Sequence, residues 1–207
     1  MNRNTVNHKK RMLAGLPYIA DMGGLAQERM QCKRKIWEFN NLHPDNASRI
    51  PELVRGIFGS AGEGAYIEAP FHCDYGTNIT VGKNFFANYN LTILDVAPVV
   101  IGDNVMIAPN VSIYTAGHPV HPDSRNSGYE YGMPITIGNN VWIGGSVTIL
   151  PGVHIGDNCV IGGGSVVTKD IESDTIVAGN PAHVIRKITS EDRDYYFKNR
   201  KFDVMDY

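Results

Sequence analysis

Beyond about residue 60 the chain carries an apolar residue at every sixth position. Ile137, Ile143, Ile149, Ile155, Ile161 and Val167 follow one another without a break. Four positions after each stands a second buriable residue: Val141, Val147, Val153, Cys159, Ser165 and Ile171. An earlier block, Ile101, Ile107 and Ile113 with Val105 and Val111, keeps the same rhythm. A weaker run, Val81, Ala87 and Ile93, precedes it two residues out of phase. Six is not a multiple of 3.6, so an α-helix would not gather these side chains on one face. A single strand of that length would be far outside the usual range. The pattern predicts a solenoid of short strands and turns. Each aliphatic points into a common core and stacks on its equivalent one coil along, each burial contributing roughly 1.5–3 kcal/mol. Gly usually follows the first aliphatic, as at Gly138, Gly144, Gly156 and Gly162. The clusters Gly138-Asn139-Asn140 and Gly156-Asp157-Asn158 read as corners, built from residue types that tolerate positive φ.

The first sixty residues follow a helical period instead. Val6 to Ala14 is a short amphipathic stretch closed by Gly15 and Pro17. Leu25 to Leu42 places Leu25, Met30, Ile36, Trp37 and Phe39 near helical spacing and ends before Pro44. Ser48 is expected to cap a third helix running through Leu53, Val54, Ile57 and Phe58 to Gly59. The Gly-rich stretch Gly59–Gly64 marks the join. The expected organisation is a helical segment over 1–62, a solenoid over 63–188 with an excursion at 115–134, and a tail over 189–207.

Composition agrees. There are 20 Ile and 18 Val against 8 Leu, and 21 of those 38 β-branched aliphatics fall between Val99 and Ile171. Such residues lose χ1 freedom in helices and suit pleated strands, which excludes a helix bundle for the second half. A β-sandwich with accidental periodicity is the rival, and six consecutive hits in register argue against it. With 19 basic and 21 acidic residues the formal net charge is −2, so no broad attraction to nucleic acid or anionic membrane is expected. No apolar run approaches 18 residues, and the polar, basic N-terminus has no apolar stretch behind it, so a cytoplasmic protein is expected. Cys32, Cys73 and Cys159 are far apart and fit neither a disulfide framework nor a zinc motif. They read as reduced and structural.

The rhythm breaks once. After Ile113 the chain leaves the coil as Thr115-Ala116-Gly117-His118-Pro119 and runs through a polar loop to about Met133. An excursion from a rigid scaffold is where function is expected. His118 stands at its base. An imidazole can take a proton from a hydroxyl near neutral pH, so His118 reads as a general base, with a hydrogen-bonded structural histidine as the alternative.

The hexapeptide pattern resembles that of acyltransferases built on a left-handed parallel β-helix, three hexapeptides to a triangular coil. The likeness narrows to the maltose and galactoside O-acetyltransferases through Phe71–Ile79 (FHCDYGTNI), Phe85–Asp95 (FFANYNLTILD), Ala108–Val120 (APNVSIYTAGHPV), Ser124–Gly128 (SRNSG), Pro134–Gly145 (PITIGNNVWIGG) and the exit Gly179–Ile188 (GNPAHVIRKI). It covers nearly the whole chain. The fold it implies is mainly β: a left-handed parallel β-helix with an N-terminal helical cap and a short C-terminal helical tail.

The resemblance implies direct transfer of acetyl from acetyl-CoA to a sugar hydroxyl, with His118 as base and no acyl-enzyme. Asn88 would supply the hydrogen bond to the oxyanion, a contact whose loss costs on the order of 10²–10³ in turnover. Asp74, Asp95, Asp21, Arg29 and Glu130 occupy positions resembling the acceptor site. Asp74, Phe86, Val96 and Glu130 agree with the maltose type and differ from the galactoside enzymes, whereas Asp192–Phe202 looks galactoside-like. Glucose or maltose is thus expected ahead of a galactoside. Gly145, Gly163, Thr168, Lys169, His183 and Arg186 match CoA contact positions, the cations suiting its phosphates. A homotrimer with sites between subunits, and no metal, completes the expectation. Two other classes remain as rivals. One is a carbonic anhydrase-like zinc solenoid using His72, His118 and His121. The other is a non-catalytic scaffold.

Overall fold

The computed structural model describes residues 6–206, so Met1–Thr5 of the expected helical segment and Tyr207 of the tail lie outside the described residues. Three short helices lead: α1 (His8–Leu13), capped by the Asn7 side chain, α2 (Leu25–Asn40) and α3 (Ile50–Ile57). Ser48 caps nothing. Pro44 starts a 3-10 turn over Pro44–Arg49, capped by His43, and α3 continues directly from it, so Ser48 sits inside the turn.

A parallel β-solenoid of about six coils follows. The first face stacks Ser60–Ala61, Ile79–Val81, Val99–Ile101, Ile135–Ile137 and His154–Ile155. The second stacks Tyr66–Ile67, Phe86–Ala87, Met106–Ile107, Trp142–Ile143, Val160–Ile161 and Thr175–Ala178, with His183–Lys187 added antiparallel at the end. The third stacks Phe71–Cys73, Leu91–Leu94, Ser112–Tyr114, Thr148–Ile149 and Val166–Val167. The aliphatics fall in register as the spacing predicts: Ile101 on Ile137 on Ile155, and Ile107 on Ile143 on Ile161. Together with their i+4 partners they form one continuous core, joined by Ile36, Phe39, Val54 and Ile57 from the helices.

The two clusters form corners as expected, and they divide the work between residue types. Gly138 and Gly156 do not have positive φ; Asn140 and Asn158 do, at 57° and 58°. The glycines serve close approach between coils. A Cβ on Gly102 would lie 2.8 Å from the Gly138 carbonyl, and one on Gly156 would lie 2.5 Å from the Ser173 nitrogen. The positive-φ asparagines form a ladder up this corner. Asn84 donates to Asn104, Asn104 to Asn140, Asn140 to Asn158, and Asn158 to Asp174, at 2.8–3.1 Å.

The phase break of two residues also has a structural cause. Val81 pairs with Ile101 and Ala87 with Ile107, twenty residues per coil instead of eighteen. The extra residues lie where the third face turns back to the first, at Asp74-Tyr75 and again at Asp95-Val96. One coil further on, the same corner opens into the excursion, where Ala116–Gly117 pairs antiparallel with Tyr131–Gly132 around α4 (Pro122–Asn126). Three consecutive elongated corners therefore share one edge.

The expected helical tail is a correction. It holds a single 3-10 turn, Ser190–Arg193, then a hairpin of Tyr195–Phe197 and Arg200–Lys201. Three consecutive aromatics favour an extended strand, and Lys198 turns the chain at φ 50°.

Candidate active site

The edge between third and first faces gathers most of the predicted acceptor residues. The N-terminal segment is fastened there: Tyr18 and Glu130 exchange backbone hydrogen bonds at 2.9 and 3.0 Å, and Met12, Tyr18, Leu25, Tyr75 and Val96 form a small second core. The buried Tyr18 hydroxyl donates to Glu130 Oε1 at 2.5 Å. Burial, reinforced by Glu130, drives the Tyr18 phenol far above its usual range, so it stays a donor. Glu130 Oε2 lies 3.9 Å from His118 Nε2, and the His118 side chain is 58% exposed. Gly117 lets the loop close over Tyr131, because a Cβ there would sit 2.6 Å from that ring.

Arg29 comes from α2. Its Nη1 donates to the Ala20 carbonyl at 2.7 Å and to the Tyr75 hydroxyl at 2.9 Å, and its Nη2 to Asp21 Oδ1 at 2.5 Å. Asp74 is half-buried beside this group. Burial raises its carboxyl above the usual range, and Arg29 pulls in the opposite direction.

Asp95 does not open to the cleft. It is wholly buried, and Oδ1 accepts from the backbone N–H groups of Asp74 and Tyr75, both at 2.9 Å. Among the described residues Oδ2 has no hydrogen-bond partner. Burial pushes the carboxyl up to about 6, partly opposed by those N–H groups. A raised folded pKa means the folded state holds the extra proton. The stabilisation is complete below about pH 4, the unfolded value, and is lost as pH rises through 6. Wild type is expected to lose on the order of 3 kcal/mol through this group between pH 4 and pH 7, and Asp95→Asn to lack that slope. Denaturant titrations across this range check it. Parallel pH–stability curves for the two proteins would remove Asp95 from the account.

The edge between second and third faces carries a different set. Asn88 stands there two coils before Gly145, with Ala108-Pro109 on the coil between, and Gly163 one coil after it: Asn88 N–H donates to the Ile107 carbonyl, Ala108 N–H to that of Ile143 and Gly164 N–H to that of Gly145. Asn88 Oδ1 accepts from Tyr89 N–H at 2.8 Å, which leaves the Nδ2 group as the amide's donor. A Cβ on Gly163 would press on the Gly145 carbonyl at 3.2 Å. Asn88 and His118 do not meet within one chain, since the strand Leu91–Leu94, about 13 Å long at 3.3 Å per residue, separates their edges.

At the solenoid's end Lys169 and His183 line one cavity of about 510 Å³, with Thr168 exposed beside them. Arg186, on the same strand as His183, is already engaged. Its guanidinium makes paired bonds of 2.6 and 2.7 Å to Asp192, which hold that carboxyl down at about 2. Sequence reasoning missed Tyr18 and Tyr75. Tyr75 stands inside the FHCDYGTNI motif and could have been found there, whereas nothing around Tyr18 signals its reach to Glu130. Among the described residues no three His, Cys, Asp or Glu side chains are gathered to hold a metal. No described helix is long and apolar enough to cross a membrane.

Comparison with known proteins matches the helical cap and the solenoid. The family model for the maltose acetyltransferase hexapeptide capping motif matches residues 11–62, and that for the bacterial transferase hexapeptide (six repeats) matches 134–169. The galactoside O-acetyltransferase of Escherichia coli (strain K12) is 49% identical over 194 residues, covering 94% of this chain and 96% of its own. A solved galactoside acetyltransferase in complex with coenzyme A superposes with a TM-score of 0.93 at 48% identity, covering 97% of this chain and 100% of that one. A maltose O-acetyltransferase from Clostridium difficile 630 gives 0.88 at 52% identity, covering 90% and 100%. A solenoid of six-residue units, a matching helical cap and near full-length identity of this order place the chain in the galactoside and maltose O-acetyltransferase family, as an acetyl-CoA-dependent O-acetyltransferase.

Proposed function

We propose that the protein acetylates a hydroxyl of glucose, maltose or a related saccharide, with His118 as general base. The observation that carries this is the shared edge: a half-exposed imidazole stands beside Glu130, while Asp74 and Arg29 approach from the neighbouring corner and helix. Carboxylates and a fixed guanidinium suit the hydroxyls of a pyranose, accepting from and donating to them. The acceptor oxygen attacks the thioester carbon as its proton passes to His118. Asn88 Nδ2 donates to the oxyanion. Collapse expels the CoA thiolate, which takes the proton back from His118, leaving free CoA and the acetyl ester.

In this reading Asp21 and Arg29 bind the acceptor directly, and Asp95 acts by holding the Asp74-Tyr75 backbone. Gly145 and Gly163 leave room for the CoA arm, and Thr168, Lys169, His183 and Arg186 receive its phosphates, Arg186 exchanging Asp192 for phosphate. The helical segment, described over 6–62, caps the acceptor side of the solenoid. Because Asn88 and His118 lie on different edges, a cytoplasmic homotrimer, with one copy's Asn88 facing another's His118, completes the site.

A free-thiol assay with acetyl-CoA and a panel of glucose, maltose and β-galactosides tests the chemistry. Thiol release with glucose or maltose is the expected result, and release with no hydroxyl acceptor would overturn it. A galactoside is the second reading, favoured by the 49% identity with the E. coli enzyme. For the assembly, refolding Asn88→Ala together with His118→Ala is expected to restore part of the activity neither variant has. An active monomer in analytical ultracentrifugation would contradict the trimer.

A further inference from the structure

The acceptor edge continues away from His118 along α2. Arg29, Lys33 and Trp37 follow one another at four-residue intervals on a single stripe of that helix, spanning about 12 Å along its axis. Arg29 and Lys33 both act electrostatically on the Asp74 carboxyl, so the stripe begins at the acceptor carboxylate. It ends in a cavity of about 440 Å³, a size within the ordinary range for small-molecule sites, about 300–1,000 Å³. Asp74, Lys33, Trp37, His72, Ile36 and Leu94 are among the residues that line it.

The walls are held in fixed relation. Asn40, one turn beyond Trp37, donates through Nδ2 to the Phe71 carbonyl at 2.9 Å and accepts at Oδ1 from Phe71 N–H at 2.8 Å. That double bond pair ties α2 to the strand Phe71–Cys73, which carries His72 on its outer side. Trp37 is 69% exposed despite its size. An indole face takes the apolar C–H face of a pyranose, and the ammonium, imidazole and carboxylate around it take hydroxyls. A distance of about 12 Å from Arg29 to Trp37 is on the scale of two linked pyranose rings.

We infer that this cavity is a second sugar subsite, holding the ring glycosidically linked to the one that is acetylated. Asp74 stands between the two subsites and serves both. The acceptor class that follows is a disaccharide or longer glycoside in preference to a monosaccharide. The inference rests on the acceptor site proposed above.

Steady-state kinetics with acetyl-CoA and either glucose or maltose, for wild type, Trp37→Ala and Trp37→Phe, test it. Wild type is expected to favour maltose in kcat/KM. Trp37→Ala is expected to lower the maltose-to-glucose ratio of kcat/KM by a few-fold to about tenfold, through KM with kcat held, the range that one aromatic contact supports. Trp37→Phe, which keeps a ring face, recovers part of that ratio. An unchanged ratio in both variants, or an equal loss for the two sugars, overturns the subsite while leaving the acetyltransferase reading intact. Wild type that acetylates neither sugar overturns the acceptor reading and the subsite with it.

Discussion

His118→Ala is expected to lower turnover by about 10²–10⁴-fold, the usual contribution of a general base, while the fold survives. The two halves of that expectation have separate grounds. The loss follows from chemistry: alanine cannot accept the hydroxyl proton, and Glu130, 3.9 Å from the imidazole, is held by the Tyr18 hydroxyl. Survival follows from packing. The His118 side chain is 58% exposed on a loop, outside both hydrophobic clusters. Such substitutions usually shift stability by no more than about 0.5 kcal/mol. Initial rates with saturating acetyl-CoA, alongside thermal unfolding, check both halves. Near-wild-type turnover would assign the base elsewhere. A collapsed melting temperature would make His118 structural.

Ile143→Ala has its large effect on stability. Ile143 is wholly buried in the middle of the solenoid, paired with Ile107 on one side and Ile161 on the other. Removing its outer carbons leaves a cavity between two coils whose backbones are tied by the ladder, so relaxation is restricted. A loss of about 2–5 kcal/mol is expected. For a chain of this length that lowers the melting temperature by roughly 4–20 °C. Denaturant unfolding with a constant m-value would confirm the loss as one of stability. A change below about 1 kcal/mol would mean that the six-residue stack is not what holds the coils together.

The glycine corners show where sequence reading stops. The sequence marks a residue type, and two physical demands select glycine equally well: a positive φ or the absence of a side chain. Gly102 and Gly156 answer the second, through backbone atoms of the next coil that no six-residue window contains. The positive-φ positions went to Asn104, Asn140 and Asn158, whose amides pair between coils. The tail was misread for another reason. The helical tail came with the family resemblance, whereas the local run of Tyr195, Tyr196 and Phe197 prefers a strand.

The chain's own periodicity determined the solenoid, its six-residue unit and the place where the rhythm fails, while the three sides of each coil came with the family resemblance. The unit is legible because burial recurs at a fixed interval, and each aliphatic needs only its equivalent one coil away. Motif likeness similarly named His118, Asn88 and Asp74 as residues to examine. Only the tertiary structure decided which of them share an edge. Tyr18 reaches Glu130 across 112 residues of sequence, Arg29 reaches Tyr75 across 46, and Asp95 turns inward to hold Asp74 from the next coil. Those contacts depend on how the helical cap and the elongated corners meet, a matter of three-dimensional closure that no periodicity records. The two-residue phase break was visible in the sequence; the fold shows that it is the Asp95-Val96 corner, whose Asp95 side chain holds the backbone of Asp74 on the coil before.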